Sequence, residues 1–138
     1  MKTNLSKLMF AAVGMTLSAA AAYGQGQLNA NVPFAFQTVN ASLSAGSYEI
    51  KVAGAGSRLT LQIENRSSRH SILAVANSRE YGTTGKARLV FRCREVGGCA
   101  LAEAYDGSGA GWHFAQPRRT SAEQERLAVV FIHRADGE

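Results

Sequence analysis

The chain has 138 residues, enough for one ordinary domain. Its composition, 46% apolar and 18% charged with 14 Gly and 2 Pro, can build a core and excludes a disordered or collagen-like polymer. The net charge of +5 is mild, with clusters at Arg88, Arg92 and Arg94 and at Arg118–Arg119.

The first element is not part of the fold. Lys2 and Lys7 accompany an apolar run from Leu8 to Ala22, broken by Gly14, Thr16 and Ser18 and closed by small residues up to Gly24. This is the pattern of a secretory signal peptide over 1–24, cleaved after Ala22 or Gly24. A membrane anchor is the competing reading, but the run is short of the roughly 20 apolar residues that span a bilayer. The expected product is one exported domain over 25–138, periplasmic or extracellular. Without Lys2 and Lys7 the 15 basic residues fall to 13 against ten acidic ones, a net +3. Export and the lack of aromatic–basic interleaving argue against a nucleic-acid partner. Contact with an anionic surface polymer or phospholipid remains open.

The rest reads as strands. Val32, Phe34 and Phe36 alternate, as do Tyr48, Ile50 and Val52, and then Leu59, Leu61 and Ile63 against polar neighbours. Period-two alternation means one buried face and one wet face. The segment 72–76 is apolar on both faces, as a central strand would be. Ala87, Leu89, Phe91 and Cys93 alternate against Arg88 and Arg92; 99–105 and 127–133 complete the set, with Gly- and Asn-rich turns between. The expectation is all-β: a single antiparallel sandwich or small barrel of about seven strands. Thr120 and Glu123 fit a capping box and predict one short helix over 120–127.

The cysteines are the most informative local feature. An exported compartment permits a disulfide between Cys93 and Cys99. A three-residue loop of Glu95, Val96 and Gly97, with Gly97 left-handed, places Arg94 opposite Gly98 and Cys93 opposite Cys99, a register a disulfide can bridge. No Cys-x-x-Cys and no nearby His point to redox or metal chemistry. The same register sets Phe91 against Leu101 and Leu89 against Glu103. Glu103 is then either a buried carboxylate with a raised pKa, or it marks where this face turns outward or meets an arginine.

Other chemistry is thin. His70, His113 and His133 have no metal-ligand spacing, so no metal and no cofactor is expected. No Gly-x-Ser-x-Gly elbow is present, and Gly54-Ala55-Gly56 lacks the Lys-Ser/Thr of a phosphate loop. The Gly-rich stretch 105–114 holds Asp106, Trp112 and His113. A Trp in such a loop is either a lid over one barrel end or a ligand platform, so the weak binding candidates are Trp112, His113, Asp106 and Glu103.

Two motifs open the domain: Asn31-Val32-Pro33-Phe34-Ala35-Phe36, then Leu43-Ser44-Ala45-Gly46-Ser47-Tyr48-Glu49-Ile50. Pro33 suits a strand start or edge, and Gly46 suits a tight turn before an alternating strand, so together they read as a β-hairpin. With Leu89-Val90-Phe91 and Ser121-Ala122-Glu123, they resemble a family of small exported β proteins of acidobacteria-like genomes. That family has an aromatic hairpin where this chain has its two cysteines. The resemblance implies export and a β fold and carries over no catalytic or binding residue. The expected role is non-enzymatic: structural, adhesive or ligand-binding in the envelope or outside the cell, with an envelope polymer or glycan as partner. One alternative is a subunit that self-associates by exchange of its N-terminal strand, residues 25–36. Another is a small hydrolase using Glu103 or Asp106 with His113, which requires a pocket that joins them.

Overall fold

The computed structural model describes residues 28–53, 59–118 and 124–134. They form ten strands: β1 (Leu28–Val32), β2 (Phe36–Gln37), β3 (Ser42–Leu43), β4 (Gly46–Ala53), β5 (Thr60–Asn65), β6 (Ser71–Tyr81), β7 (Arg88–Arg94), β8 (Gly98–Tyr105), β9 (Ala110–Phe114) and β10 (Arg126–Arg134). The hydrogen-bonded order is β3-β2-β8-β7-β10-β1-β4-β5-β6-β9, and β9 also pairs with β8. That last pairing closes eight strands, β8 round to β9, into an antiparallel barrel, with β2 and β3 as a side hairpin. Of the two architectures expected from sequence, the barrel is the one formed.

The core follows the predicted alternation. Tyr48, Ile50, Leu61, Ile63, Leu89, Phe91 and Leu101 point inward and are 3% exposed or less. Closure explains why: a barrel interior accepts every second side chain from each strand. Strand β6 has neighbours on both edges, as expected for 72–76, and so has β10, but Leu73 and Val75 of β6 and Leu127, Val129 and Phe131 of β10 face outward and are exposed.

One end of the barrel is plugged. Phe34 and Phe36 pack on Phe91 there, with ring centroids 5.0 and 5.2 Å from that of Phe91 and near edge-on, and Tyr48 packs on Phe36 at 5.4 Å. The opening motif is not one hairpin. The chain leaves the barrel at Pro33, and β2–β3 forms a small hairpin before β4 returns to pair with β1. The Tyr48 hydroxyl donates to the Ser44 carbonyl and ties down the turn between β3 and β4.

The side hairpin solves an edge problem. Strand β8 has one edge left after pairing with β7. The first part of that edge takes β2 in parallel, Phe36 opposite Cys99 and Gln37 opposite Ala100. The last part takes β9, from Glu103 to Tyr105. Between them the Gln116 amide donates to the Leu101 carbonyl at 2.9 Å, so the gap leaves no orphaned acceptor there.

Two expectations are corrected. The helix over 120–127 does not form where the chain is described: 124–125 is non-helical, and Arg126 and Leu127 belong to β10. Residues 120–123 lie outside the described residues. The strand wins because Leu127, Val129 and Phe131 alternate with Ala128, Val130 and Ile132, and the second set reaches the core. The second correction is the register beyond Phe91. Phe91 faces Leu101 as expected, but Val90, not Leu89, faces Glu103. Ala102 is an extra residue on β8, a bulge that hands the inward position on to Ala104.

The cysteine hairpin forms in the expected register. Cys93 and Cys99 are disulfide-bonded, Arg94 faces Gly98, and Gly97 has φ 100°. The bridge closes a short loop, so its constraint on the unfolded chain is worth about 2 kcal/mol. The Cys93→Ala/Cys99→Ala double variant is expected to fold and to lose about 2 kcal/mol in urea unfolding. A loss above about 4 kcal/mol would show that the bridge holds more than its own hairpin.

Candidate functional site

Among the described residues, the end of the barrel opposite the aromatic plug is open. Inward-facing Ile50 is 1% exposed, while Val52, two residues on and on the same face, is 51% exposed. Only an open mouth separates those two values. At that mouth lies an open hollow of about 1060 Å³. Its apolar wall includes Leu28, Ile50, Leu61, Ala104, Trp112 and Ile132. Its polar members are Lys86, Tyr105, Asp106, His133 and Arg134. Arg134 pairs with Leu28, whose side chain packs against the core, so the arginine sits on the inner side at the mouth. A smaller hollow of about 440 Å³ lies beside Cys93, Glu95 and Gln124–Arg126 at the plugged end.

Trp112 is not in a flexible loop and is not a lid. It lies within β9 as a half-buried wall residue, because the β8–β9 connection is only the turn 106–109. Arg79 lies 5.4 Å from the Trp112 ring centroid and 4.6 Å from that of Tyr81. The Trp112 indole N–H is buried and meets no acceptor among the described residues. Gly111 is required beside it, since a Cβ there would lie 2.6 Å from the Tyr105 ring.

Asp106 builds the turn at the mouth. Its Oδ1 accepts from the amides of Ser108, at 2.8 Å, and Ala110, at 3.1 Å. Gly107 has φ 80°, and a Cβ there would come within 2.9 Å of the Ala87 amide nitrogen. The turn therefore rests on the start of β7. Burial works to raise the Asp106 pKa, but the donated hydrogen bonds outweigh it and hold the carboxyl below its usual value.

Glu103 and His113 are brought together on the outer wall, away from the cavity. They face each other across β8 and β9. His113 Nε2 is 3.2 Å from Glu80 Oε1 on β6. The Tyr105 hydroxyl donates to Glu103 and also lies 3.1 Å from Glu80 Oε1. Burial and the two carboxylates, Glu103 foremost, push the Tyr105 pKa up, so it stays a phenol. The Arg88 guanidinium covers its ring at 4.1 Å. Glu103 is half-buried and outward, as one of the two sequence readings had it. The bulge at Ala102 turns it out, and a matching irregularity at Asn77 turns out Glu80.

The four candidates thus divide. Trp112 and Asp106 line the cavity; Glu103 and His113 do not. The set that a hydrolase would need does not converge in one hollow. Lys86, His133 and Arg134 at the mouth escaped the sequence reading, because nothing local in the chain relates positions 86 and 134. Among the described residues no group of three or more His, Cys, Asp or Glu could hold a metal ion. No helix there is long and apolar enough to cross a membrane.

No family model matches the chain, and no curated protein or solved structure matches it either.

The Asp106 turn supplies a pH-dependent contribution to stability. Because the folded pKa is depressed, that contribution is complete above the usual carboxylate range and is lost as the pH falls through the lowered value. Asp106→Ala is therefore expected to be clearly less stable than the parent at neutral pH, with the gap narrowing below about pH 4. Urea unfolding of both proteins at neutral pH and at about pH 3 checks this. A gap that stays constant would mean that the charge on Asp106 contributes nothing.

Proposed function

We propose that this protein is an exported, non-enzymatic binding protein for a small amphiphile, which it holds in the open end of the barrel. The carrying observation is the exposure of inward-facing Val52 above a sealed Ile50, at the mouth of an apolar cavity of about 1060 Å³. An eight-stranded barrel is just wide enough to be filled by side chains or to hold one small ligand. Here the interior is sealed as far as Ile50 and Leu61, and the hollow opens from Val52 outward. The cavity volume suits a drug-sized molecule, and its wall is mostly apolar with a few polar groups at one end, as in small-molecule sites generally.

The polar groups specify the ligand further. Lys86, His133 and Arg134 surround the mouth, and Asp106 has its Oδ1 committed to the turn amides. An apolar body inside and an acidic head at the mouth satisfy both regions, as in a medium-chain carboxylic acid. The disulfide is compatible with export, and the signal-like segment 1–24 supports it. Exchange of the N-terminal strand has less support, since β1 lies between β10 and β4 of its own barrel and would have to leave both.

Trp112 is the chain's single tryptophan, so it reports directly on the cavity. Titration with dodecanoate is expected to change its emission saturably, with dodecanol and dodecylamine at least about tenfold weaker, since hydrogen bonds to charged groups are worth about 1.5–3 kcal/mol. Arg134→Glu is expected to remove most of the preference for the acid. Val52→Glu, which places a carboxylate at the mouth, is expected to abolish dodecanoate binding without unfolding the protein. No saturable change with any of the three ligands would sink the proposal.

A further inference from the structure

The outer face of β10 carries an exposed apolar stripe. Leu127, Val129 and Phe131 are 64%, 48% and 49% exposed. On the neighbouring strand β7 they stand opposite Arg92, Val90 and Arg88 in turn. On the other side β1 offers only Asn29 and Asn31 to this face. Acids also lie near this face: Glu125 is bound to Arg94 at 2.6 Å and lies 4.0 Å from Arg92, and Glu103, opposite Val90, accepts from the Tyr105 hydroxyl. The result is an apolar ridge flanked along its β7 side by the guanidinium groups of Arg88 and Arg92.

The second exposed pair, Leu73 and Val75 on β6, has different neighbours. They stand opposite Gln62 and Thr60 on β5, so that patch is apolar without a cationic frame. The contrast separates a built surface from scattered exposed side chains, which are common on any soluble fold. The stripe also runs into the mouth, since Phe131 belongs to both the ridge and the cavity lining.

We propose that the β10–β7 face docks on an anionic phospholipid surface, with Leu127, Val129 and Phe131 among the headgroups and acyl ends and the flanking arginines on the lipid phosphates. Charge complementarity selects this occupant. A second copy meeting the same face about a twofold axis would bring Arg88 and Arg92 toward their own counterparts, an unfavourable juxtaposition. A negatively charged bilayer pairs with those arginines and takes up the apolar ridge at the same time. Docking in this orientation brings the cavity mouth to the membrane, where an acidic amphiphile would be exchanged. The docking itself does not depend on the identity of the ligand.

The test is sedimentation of the mature chain with vesicles of phosphatidylcholine alone and with about one-third phosphatidylglycerol. Binding to the anionic vesicles is expected to be at least about tenfold stronger and to weaken with added salt. Leu127→Thr/Val129→Thr keeps strand propensity and spares the cavity lining, and is expected to lose about tenfold in affinity. Arg92→Glu is expected to remove the preference for anionic lipid. Leu73→Thr/Val75→Thr is expected to bind like the parent. Equal binding to both vesicle types, or equal loss in the β6 variant, overturns the proposal. So does undiminished binding of the β10 variant, or binding to dextran sulfate that matches the vesicles and ignores the β10 substitutions. A dimer in light scattering that Leu127→Thr/Val129→Thr dissociates would assign the face to self-association instead.

Discussion

Everything in this barrel depends on how β8 divides one edge between two partners. An antiparallel barrel closes only if its last strand finds the first, and here β9 reaches only the end of β8. The rest of the edge would expose unpaired amides and carbonyls, which are costly when buried and a template for aggregation when not. The short strand β2 covers the first part and Gln116 covers the gap. Because β2 must arrive at that end, Phe34 and Phe36 arrive with it and pack on Phe91. Closure and plugging are therefore one event. Among the described residues the opposite end receives no such insertion, and there Val52 is open to solvent while Ile50 is sealed.

The two strand irregularities belong to the same solution. At Ala102 and at Asn77 one residue is added without a partner, and the alternation beyond it changes sides. The inward places then fall to Ala104 on β8 and, by register with Trp112, to Arg79 on β6. The outward places fall to Glu103 and Glu80, which meet His113 and Tyr105. Without the bulges two carboxylates would point into an apolar interior, at a desolvation cost of several kcal/mol each. The bulges thus keep Glu103 and Glu80 out of the cavity, where among the described residues Asp106 is the one acid of the lining and has its Oδ1 engaged by the turn amides.

Much of this was legible in the chain. Alternation at Tyr48–Val52, Leu59–Ile63 and Ala87–Cys93 identified inward residues correctly, since period two survives any all-β topology. The Cys93–Cys99 hairpin could be read because both its turn and its bridge are local. The bulge at Ala102 could not, since inserting one residue leaves a run of apolar and small side chains that reads equally well in either register. The helix reading failed for a related reason. Thr120 and Glu123 have capping chemistry, but a capping box is worth on the order of 1 kcal/mol. Against it stood a nine-residue strand, β10, with neighbours on both edges.

The mouth was invisible for a different reason. Its residues come from the ends of strands that are adjacent only after closure: Lys86 ahead of β7, Asp106 after β8, Arg134 at the end of β10. No spacing rule links them, and each alone is an ordinary surface residue. Barrel closure converts that dispersal into geometry, because antiparallel strands bring alternate chain ends to the same rim. The outer surface obeys the same logic. Leu127, Val129 and Phe131 read from the sequence as part of an apolar run, yet a single-layered barrel has only one interior. The outward half of such a strand must meet solvent or something else, and on β10 that half is flanked along β7 by arginines rather than by the neutral residues that flank β6. Cavity chemistry and surface chemistry point the same way, toward molecules that join an apolar body to a negative head.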